Sequence, residues 1–300
     1  MLKMYHEQED AGNTPDFWEE NWEGSTFTES LRFCSVDPLR AIFEKYSKPG
    51  NLMLEGGCGL GQYLVFYKAR GLNVIGLDFA QRALKNLKIR QPNLDLCGGD
   101  VSTLPFPDRS FDLYYSGGVV EHFETGPDKS LSEARRVIKD EGVLLISVPY
   151  QSPLRTTLFH FKKRCWRLVE TEQSDDSASM AGQRFFQYAY RRNEFRERLA
   201  KAGLRVIEER GYAVLWGLTE IPFVNRSKKN KSLEPGVPKG MNRPAEGNIH
   251  DVESLTNEPK ISYLKRVLVV EDETAPGARW IVKFMRWMSG NMMMYVCVRD

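Results

Sequence analysis

The chain has 300 residues, 41% of them hydrophobic, and a formal net charge of +2. This suits one large folded domain, or one with insertions, and the charge balance names no partner. Five cysteines without a C-x-x-C pair, an N-terminus that turns acidic without a signal-peptide core, and no apolar run of membrane-spanning length predict a cytoplasmic protein with no structural metal.

Residues 1–34 form a leading segment before a main domain spanning 35–300. Within it, Asp16–Trp22 is a candidate short amphipathic helix, and packing of Trp18 and Trp22 on the core explains both aromatics. Asp37 and Pro38 are placed as N-cap and first turn of a helix with Leu39, Ile42, Phe43 and Tyr46 on one face. Leu52–Leu54 predicts a strand. It runs into Glu55, then Gly57, Gly59 and Gly61 at alternate positions, then a helix over 62–70. A strand, a glycine-rich turn and a helix in that order make a nucleotide-type site, because glycine turns sharply and lets a ligand approach the main chain. The spacing excludes two common ligands. A dinucleotide fingerprint needs glycine where Gln62 stands, and no Gly-Lys-Ser/Thr follows for a phosphate loop.

The second strand, 73–78, ends on Asp78, placed to bind ribose hydroxyls or to cap the helix predicted over 81–90. A third strand and its exit run over 94–101. A proline-broken connector, 104–112, leads to a fourth strand, 112–116, and then to Gly117–Phe123. A helix over 128–139 and a continuously apolar strand over 142–149 follow.

Residues 150–190 look like an insertion. It includes a predicted helix over 154–169 bearing Arg155, Lys162, Lys163, Arg164 and Arg167, and a polar stretch over 171–182. The basic helix is either a solvated face or a lid for an anionic substrate or membrane surface. A helix over 191–202, a strand over 204–209, a loop-rich insertion over 212–259, an apolar segment over 261–270, a helix over 280–288 and a last strand over 292–298 complete the chain.

The E-x-G-x-G-x-G stretch, the "LPFPDRSFD" connector, the "VVEHF" segment and "FRERLAKAGLRVIEE" together resemble the class I S-adenosylmethionine-dependent methyltransferases of the small-molecule "type 11" kind. The resemblance covers about residues 35–150, 185–211 and 280–298. It implies an α/β, Rossmann-like three-layer sandwich. Its seven-stranded sheet is mostly parallel, with an antiparallel last strand inserted beside the fifth. It also implies S-adenosyl-L-methionine bound by Glu55, Gly57, Cys58, Gly59 and Gly61 at its methionine end and by Asp78 at its ribose. Phe79, Asp100 and Val101 would flank the adenine, and Ser116 and Gly117 would lie beside the methionine moiety. The donor is a cation without phosphates, so a loop with an acid and no Lys or Arg suits it. In similar enzymes an aromatic N-terminal segment folds over the cofactor, which gives residues 1–34 a second reading, as a lid.

The function expected is methyl transfer to a small-molecule or lipid-linked acceptor, on O, N or C, with the two insertions shaping the acceptor pocket. His122 is the leading candidate base, ahead of Glu121, Tyr115 and Tyr150. A catalytically inactive donor-binding scaffold of the same fold is the alternative. Nucleic-acid methylation is a weaker one, because no Asn/Asp-Pro-Pro-Tyr/Phe motif is present.

Overall fold

A computed structural model of the protein describes residues 1–6, 14, 17–18, 27–159, 166–168, 184–221 and 261–300. Trp22, the 162–164 cations, the 171–182 stretch and most of the second insertion lie outside the described residues.

The strands are β1 (Leu2–His6), β2 (Leu52–Gly56), β3 (Asn73–Asp78), β4 (Asp95–Gly98), β5 (Phe111–Gly117), β6 (Ile138–Pro149), β7 (Trp166–Leu168), β8 (Arg184–Ala189), β9 (Leu204–Tyr212) and β10 (Met292–Arg299). Seven of them form one sheet in the order β4-β3-β2-β5-β6-β10-β9. The β4, β3, β2, β5 and β6 neighbours pair in parallel, and β10 runs antiparallel to both β6 and β9. The expected architecture, including the inserted last strand, is the observed one.

Each face of this sheet carries its own core. Leu54, Tyr114, Leu144 and Ile146 face one cluster, which also takes in Leu131 and Phe195. Met53, Leu113, Tyr115, Leu145 and Met294 face the other, with Phe43 and Phe66. Successive strand residues point to opposite faces, so a continuous apolar run such as 143–148 is what a doubly covered strand requires.

Two boundaries differ from the sequence reading. The helix Asp128–Val137 stops two residues early, because Ile138 already pairs with Phe111 of β5. Of the predicted 154–169 helix, Pro153–Phe159 is helical and 166–168 is a strand paired with Leu2–Met4. An open edge at Leu2–Met4 is what this segment pairs with. With β1 and β8, β7 makes a separate three-stranded antiparallel sheet. An isolated bridge from Tyr150 to Tyr190 joins this small sheet to the end of β6.

Arg155 corrects the picture of a uniformly solvated basic helix. It is buried, and its guanidinium meets Glu220 at 2.5 Å and the Tyr150 carbonyl at 2.8 Å.

The proline-broken connector is pinned by one side chain. Arg136 donates to the carbonyls of Leu104 and Phe106 at 2.9 and 2.7 Å and pairs with Asp108 and Glu133. Glu133 also accepts from the Leu104 amide. This holds the chain between β4 and β5 without regular structure.

Candidate active site

Glu55 lies next to last in β2, beside Gly76 of β3 and Tyr115 of β5. Beyond it the chain folds back on β3. The Gly57 and Cys58 amides both donate to the Leu77 carbonyl, at 2.8 and 3.0 Å, and the Gly61 amide donates to Cys58 O at 2.8 Å. Gly57, Gly59 and Gly61 take φ values of +75°, +49° and +71°, which disfavour side chains. At Gly57 a Cβ would also run into Val119, so the loop lies flat against the segment that follows β5. Cys58 turns its thiol inward, into the core, and offers the loop only backbone.

Asp78 closes this loop. Its Oδ2 accepts from the Gly59 amide at 2.8 Å and its Oδ1 from the Ala80 amide at 2.9 Å. The helix Gln81–Arg90 has Ala80 at its N-cap with no side-chain cap, so Asp78 braces the turn before that helix and does not cap it, and a carboxylate oxygen can accept more than one hydrogen bond. The Gly99 amide donates to the Asp78 carbonyl, which brings the exit of β4 alongside. Phe79 stands exposed at this rim. Asp100 is also exposed, with Oδ1 accepting from the Ser102 amide at 2.7 Å. The Val101 side chain is buried, so only its backbone is available at the rim. At the other end, Ser116 is buried beside Tyr114, and Gly118 donates to the Ser147 carbonyl.

Glu55 is the electrostatic centre of the site. It is buried, burial raises its carboxyl well above the usual range, and the Asp78 charge pushes the same way, while the Leu64 amide pulls it back. Its Oε2 has no hydrogen-bond partner among the described residues. An orphaned buried carboxylate oxygen is costly unless something else satisfies it. A second carboxylate nearby sharpens the demand for a cation. An ammonium-bearing, phosphate-free nucleoside such as S-adenosylmethionine meets it, with the glycine loop presenting backbone in place of side chains. The residues present fit that donor.

The sequence reading took Asp37 only as a helix cap. The helix Arg40–Tyr46 instead has Leu39 at its N-cap, with no side-chain cap; Asp37 stands two residues earlier, one oxygen accepting from the Leu39 amide at 2.7 Å and the other from the Tyr63 hydroxyl. Burial pushes its carboxyl up to about 6, against the pull of those two bonds. Tyr63 in turn meets Tyr115, with ring centroids 5.0 Å apart. Tyr115 reaches over Gly117, where a Cβ would strike its hydroxyl. On the same face the Tyr212 hydroxyl donates to Ser147 Oγ at 3.0 Å. The one local signal was Tyr63 itself, two residues past the last glycine.

Past β5, a 3-10 turn, Val120–His122, carries the candidate acid–base pair. His122 Nδ1 lies 2.8 Å from the Phe186 carbonyl. A carbonyl only accepts, so Nδ1 carries the proton and Nε2 the lone pair when the ring is neutral. Nε2 is 4.0 Å from Glu121 Oε1. Glu121 is 1% exposed, its Oε2 has no partner among the described residues, and burial raises its carboxyl to about 8. Trp18 packs edge-on to the imidazole with centroids 4.7 Å apart, and Phe186 lies 4.9 Å away. The leading segment thus touches the candidate base directly.

The comparisons agree with this geometry. A family described as a methyltransferase domain matches residues 54–146. A demethylmenaquinone methyltransferase of Renibacterium salmoninarum is 34% identical over 156 residues, which cover 51% of this chain and 62% of that protein. A malonyl-[acyl-carrier protein] O-methyltransferase of Serratia marcescens is 35% identical over 101 residues, covering 34% and 39%. The chain therefore matches less than two thirds of the length of these relatives. Among solved structures, a chain of the complex between the Haloferax volcanii Trm112 methyltransferase activator and a methyltransferase superposes over 95% of both chains with a TM-score of 0.52 at 16% identity, a likeness of fold. The glycine loop, its two carboxylates and the β5 exit all fall inside the matched residues, so residues 54–146 carry a methyltransferase domain of the class I S-adenosylmethionine-dependent kind.

Proposed function

We propose that the chain transfers a methyl group from S-adenosyl-L-methionine to a small-molecule or lipid-linked acceptor. The supporting observation is the pairing of buried Glu55, one oxygen unpartnered, with Asp78 across the glycine loop. In this reading Glu55 offsets the donor's positive charge and Asp78 accepts from its ribose hydroxyls. Phe79, Asp100 and the Val101 amide flank the adenine. Gly57, Cys58, Gly59 and Gly61 cradle the methionine end with backbone, and Ser116 and Gly117 border it. When bound, the donor supplies an already activated sulfonium methyl, so the protein's work is alignment, exclusion of water and removal of the acceptor's proton.

His122 is the proposed base. Its Nε2 lone pair is set by the Phe186 contact, and Glu121, whose carboxyl burial raises to about 8, stands 4.0 Å away and holds the imidazolium by charge only once it ionises. The aromatic residues of segment 1–34, Phe17 and Trp18, serve as its cover, and the insertions at 150–190 and 212–259 supply the acceptor side. The acceptors named for the two relatives, demethylmenaquinone and a malonyl-acyl-carrier protein, are unlike each other. They support the reaction class and leave the acceptor open. Burial of Arg155 against Glu220 removes one cation from the case for a nucleic-acid acceptor.

Calorimetry with S-adenosylmethionine and with its demethylated product, followed by methyl release in the presence of candidate quinols, phenols and acyl-carrier thioesters, tests the reading. Donor binding with turnover supports it. Donor binding with no methyl release from any of them favours the scaffold alternative, and no heat with either nucleoside ends both.

A further inference from the structure

The helix Arg279–Ser289 is built inside out. Its buried face is Val282, Arg286 and Ser289, while Trp280, Ile281, Phe284 and Trp287 are 79%, 54%, 56% and 54% exposed. The inward arginine is fully engaged. Its Nε donates to Glu271 Oε2 at 3.0 Å and Nη2 to the Glu271 carbonyl at 2.6 Å, while Nη1 pairs with Glu273. The neighbouring helix Tyr263–Leu268 packs on it through Val267, Ala275, Ala278 and Val282, and shows Tyr263 and Leu264 to solvent at 52% and 65%. The Tyr263 hydroxyl donates to the Pro276 carbonyl at 2.6 Å, which fixes that ring beside the start of the inverted helix. Six large apolar side chains thus line one exposed region, and the other large apolar side chains exposed among the described residues are Phe79, Ile89, Ile207 and Leu215. A contiguous patch of this kind marks a docking surface.

The charges select the occupant. The inverted helix contains no acid, and its exposed cations are Arg279 and Lys283. Lys283 Nζ stands 5.9 Å from the Trp280 ring centroid and 3.8 Å from Glu273. The local acids are otherwise directed elsewhere, Glu271 and Glu273 toward Arg286 and Asp272 toward Arg266. Tryptophans beside cations on an acid-free helical face suit the headgroup layer of an anionic bilayer. A two-fold contact between copies through the same face would oppose Arg279 and Lys283 to their own images with no acid on the helix to offset them. Among the described residues no helix is long and apolar enough to cross a membrane, so the contact is peripheral.

We propose that this face docks the protein on anionic lipid bilayers. The position suits an enzyme that draws on the membrane. The helix ends at Gly290–Asn291, where the Tyr150 amide and Arg155 both donate to the Asn291 carbonyl. Met292 pairs with Pro149 at the end of β6, the edge of the sheet where the active-site loops lie. Docking is a binding property and does not depend on the methyl-transfer reading.

The test is flotation of the full chain with vesicles of phosphatidylcholine alone and of phosphatidylcholine mixed equally with phosphatidylglycerol. The same flotation is done for the Trp280→Ser, Phe284→Ser, Trp287→Ser triple variant. All three positions are exposed, so the variant's thermal unfolding should match the parent's, and a Trp280→Ser single variant serves if it does not. The expected result is binding to the anionic vesicles that weakens with added salt and falls by about tenfold or more in the variant. No preference for the anionic vesicles, or equal binding by the variant, overturns the proposal. So does a concentration-dependent dimer, seen by sedimentation, that the substitutions abolish.

Discussion

Asp78 reaches back nineteen residues to accept the Gly59 amide at 2.8 Å, so the acid proposed to take the ribose also sets the shape of the loop proposed to cradle the methionine end. The two functions share one carboxylate. In Asp78→Asn, one oxygen is replaced by an amide nitrogen that cannot accept from a backbone N–H. Loss of a charge-assisted hydrogen bond costs about 1.5–3 kcal/mol, or roughly ten- to a hundredfold in affinity. Calorimetry should show donor affinity reduced by about that factor. Donor affinity equal to the parent's would remove Asp78 from the site.

Gly57 is held by both conformation and space. In Gly57→Ala the φ of +75° strains the backbone by about 1–2 kcal/mol, and the new methyl meets Val119. Trimming the obstacle separates the two costs. The double variant Gly57→Ala, Val119→Ala should recover part of the lost donor affinity and melting temperature but not all, because the φ penalty persists. Full recovery would show that space alone matters there.

The parts legible in the sequence were those written in local pattern. The apolar run at 143–148, the acid at the end of 73–78 and the alternate glycines each encode their own place, and β10 lies where the family resemblance put it. What escaped was set by partners distant in the chain. Trp166–Leu168 becomes a strand only because Leu2–Met4 offers an edge. Arg155 reads as a surface cation until Glu220, sixty-five residues on, is brought beside it. Asp37 looks like a complete helix cap, and nothing near it announces that Tyr63 takes its second oxygen. The helix over 279–289 was expected and found, but its orientation was not readable, since an apolar stripe ordinarily faces inward. Only the buried Glu271 and the half-buried Glu273 explain why Arg286 takes the inner face.

Glu121 gives a pH signature. Its folded-state value of about 8 lies above the ordinary 4.5, so the native protein keeps a proton that the unfolded chain releases. That stabilises the fold fully below about pH 4.5, and the contribution fades as pH rises through 8. Glu121→Gln should flatten this part of the stability profile. It should make the protein more stable than its parent above pH 8, by an amount on the order of 2–4 kcal/mol. Melting curves from pH 5 to 9, with roughly 2–4 °C expected per kcal/mol, check it. A parallel profile for the two proteins would mean that Glu121 is not held neutral.

His122 and Glu121 should separate kinetically. If His122 Nε2 removes the acceptor's proton, His122→Ala lowers turnover by about 10²–10⁴-fold, with donor affinity nearly unchanged. Glu121→Gln should leave a larger residual rate and move the pH–rate profile, since it alters only the group 4.0 Å from the imidazole. Turnover by His122→Ala equal to the parent's would leave the ring as a packing partner for Trp18 and Phe186.

The buried Arg286 network predicts an asymmetric response. Removing only the arginine leaves Glu271, 1% exposed on its side chain, without its cation. Arg286→Met should therefore cost about 3–5 kcal/mol at neutral pH, as breaking buried pairs does. Burial already raises the Glu271 carboxyl, with Arg286 pulling it back. Without the arginine that value rises further, so the variant's penalty should shrink as pH falls and Glu271 takes a proton. Adding Glu271→Gln should recover much of the loss at neutral pH, since a neutral amide keeps an oxygen for the Val214 amide, which Glu271 Oε1 now accepts at 2.8 Å. Thermal unfolding of the single and double variants at pH 5 and pH 8 measures all three effects. A penalty independent of pH would show that the helix is held by packing around Val282 instead of by this charge.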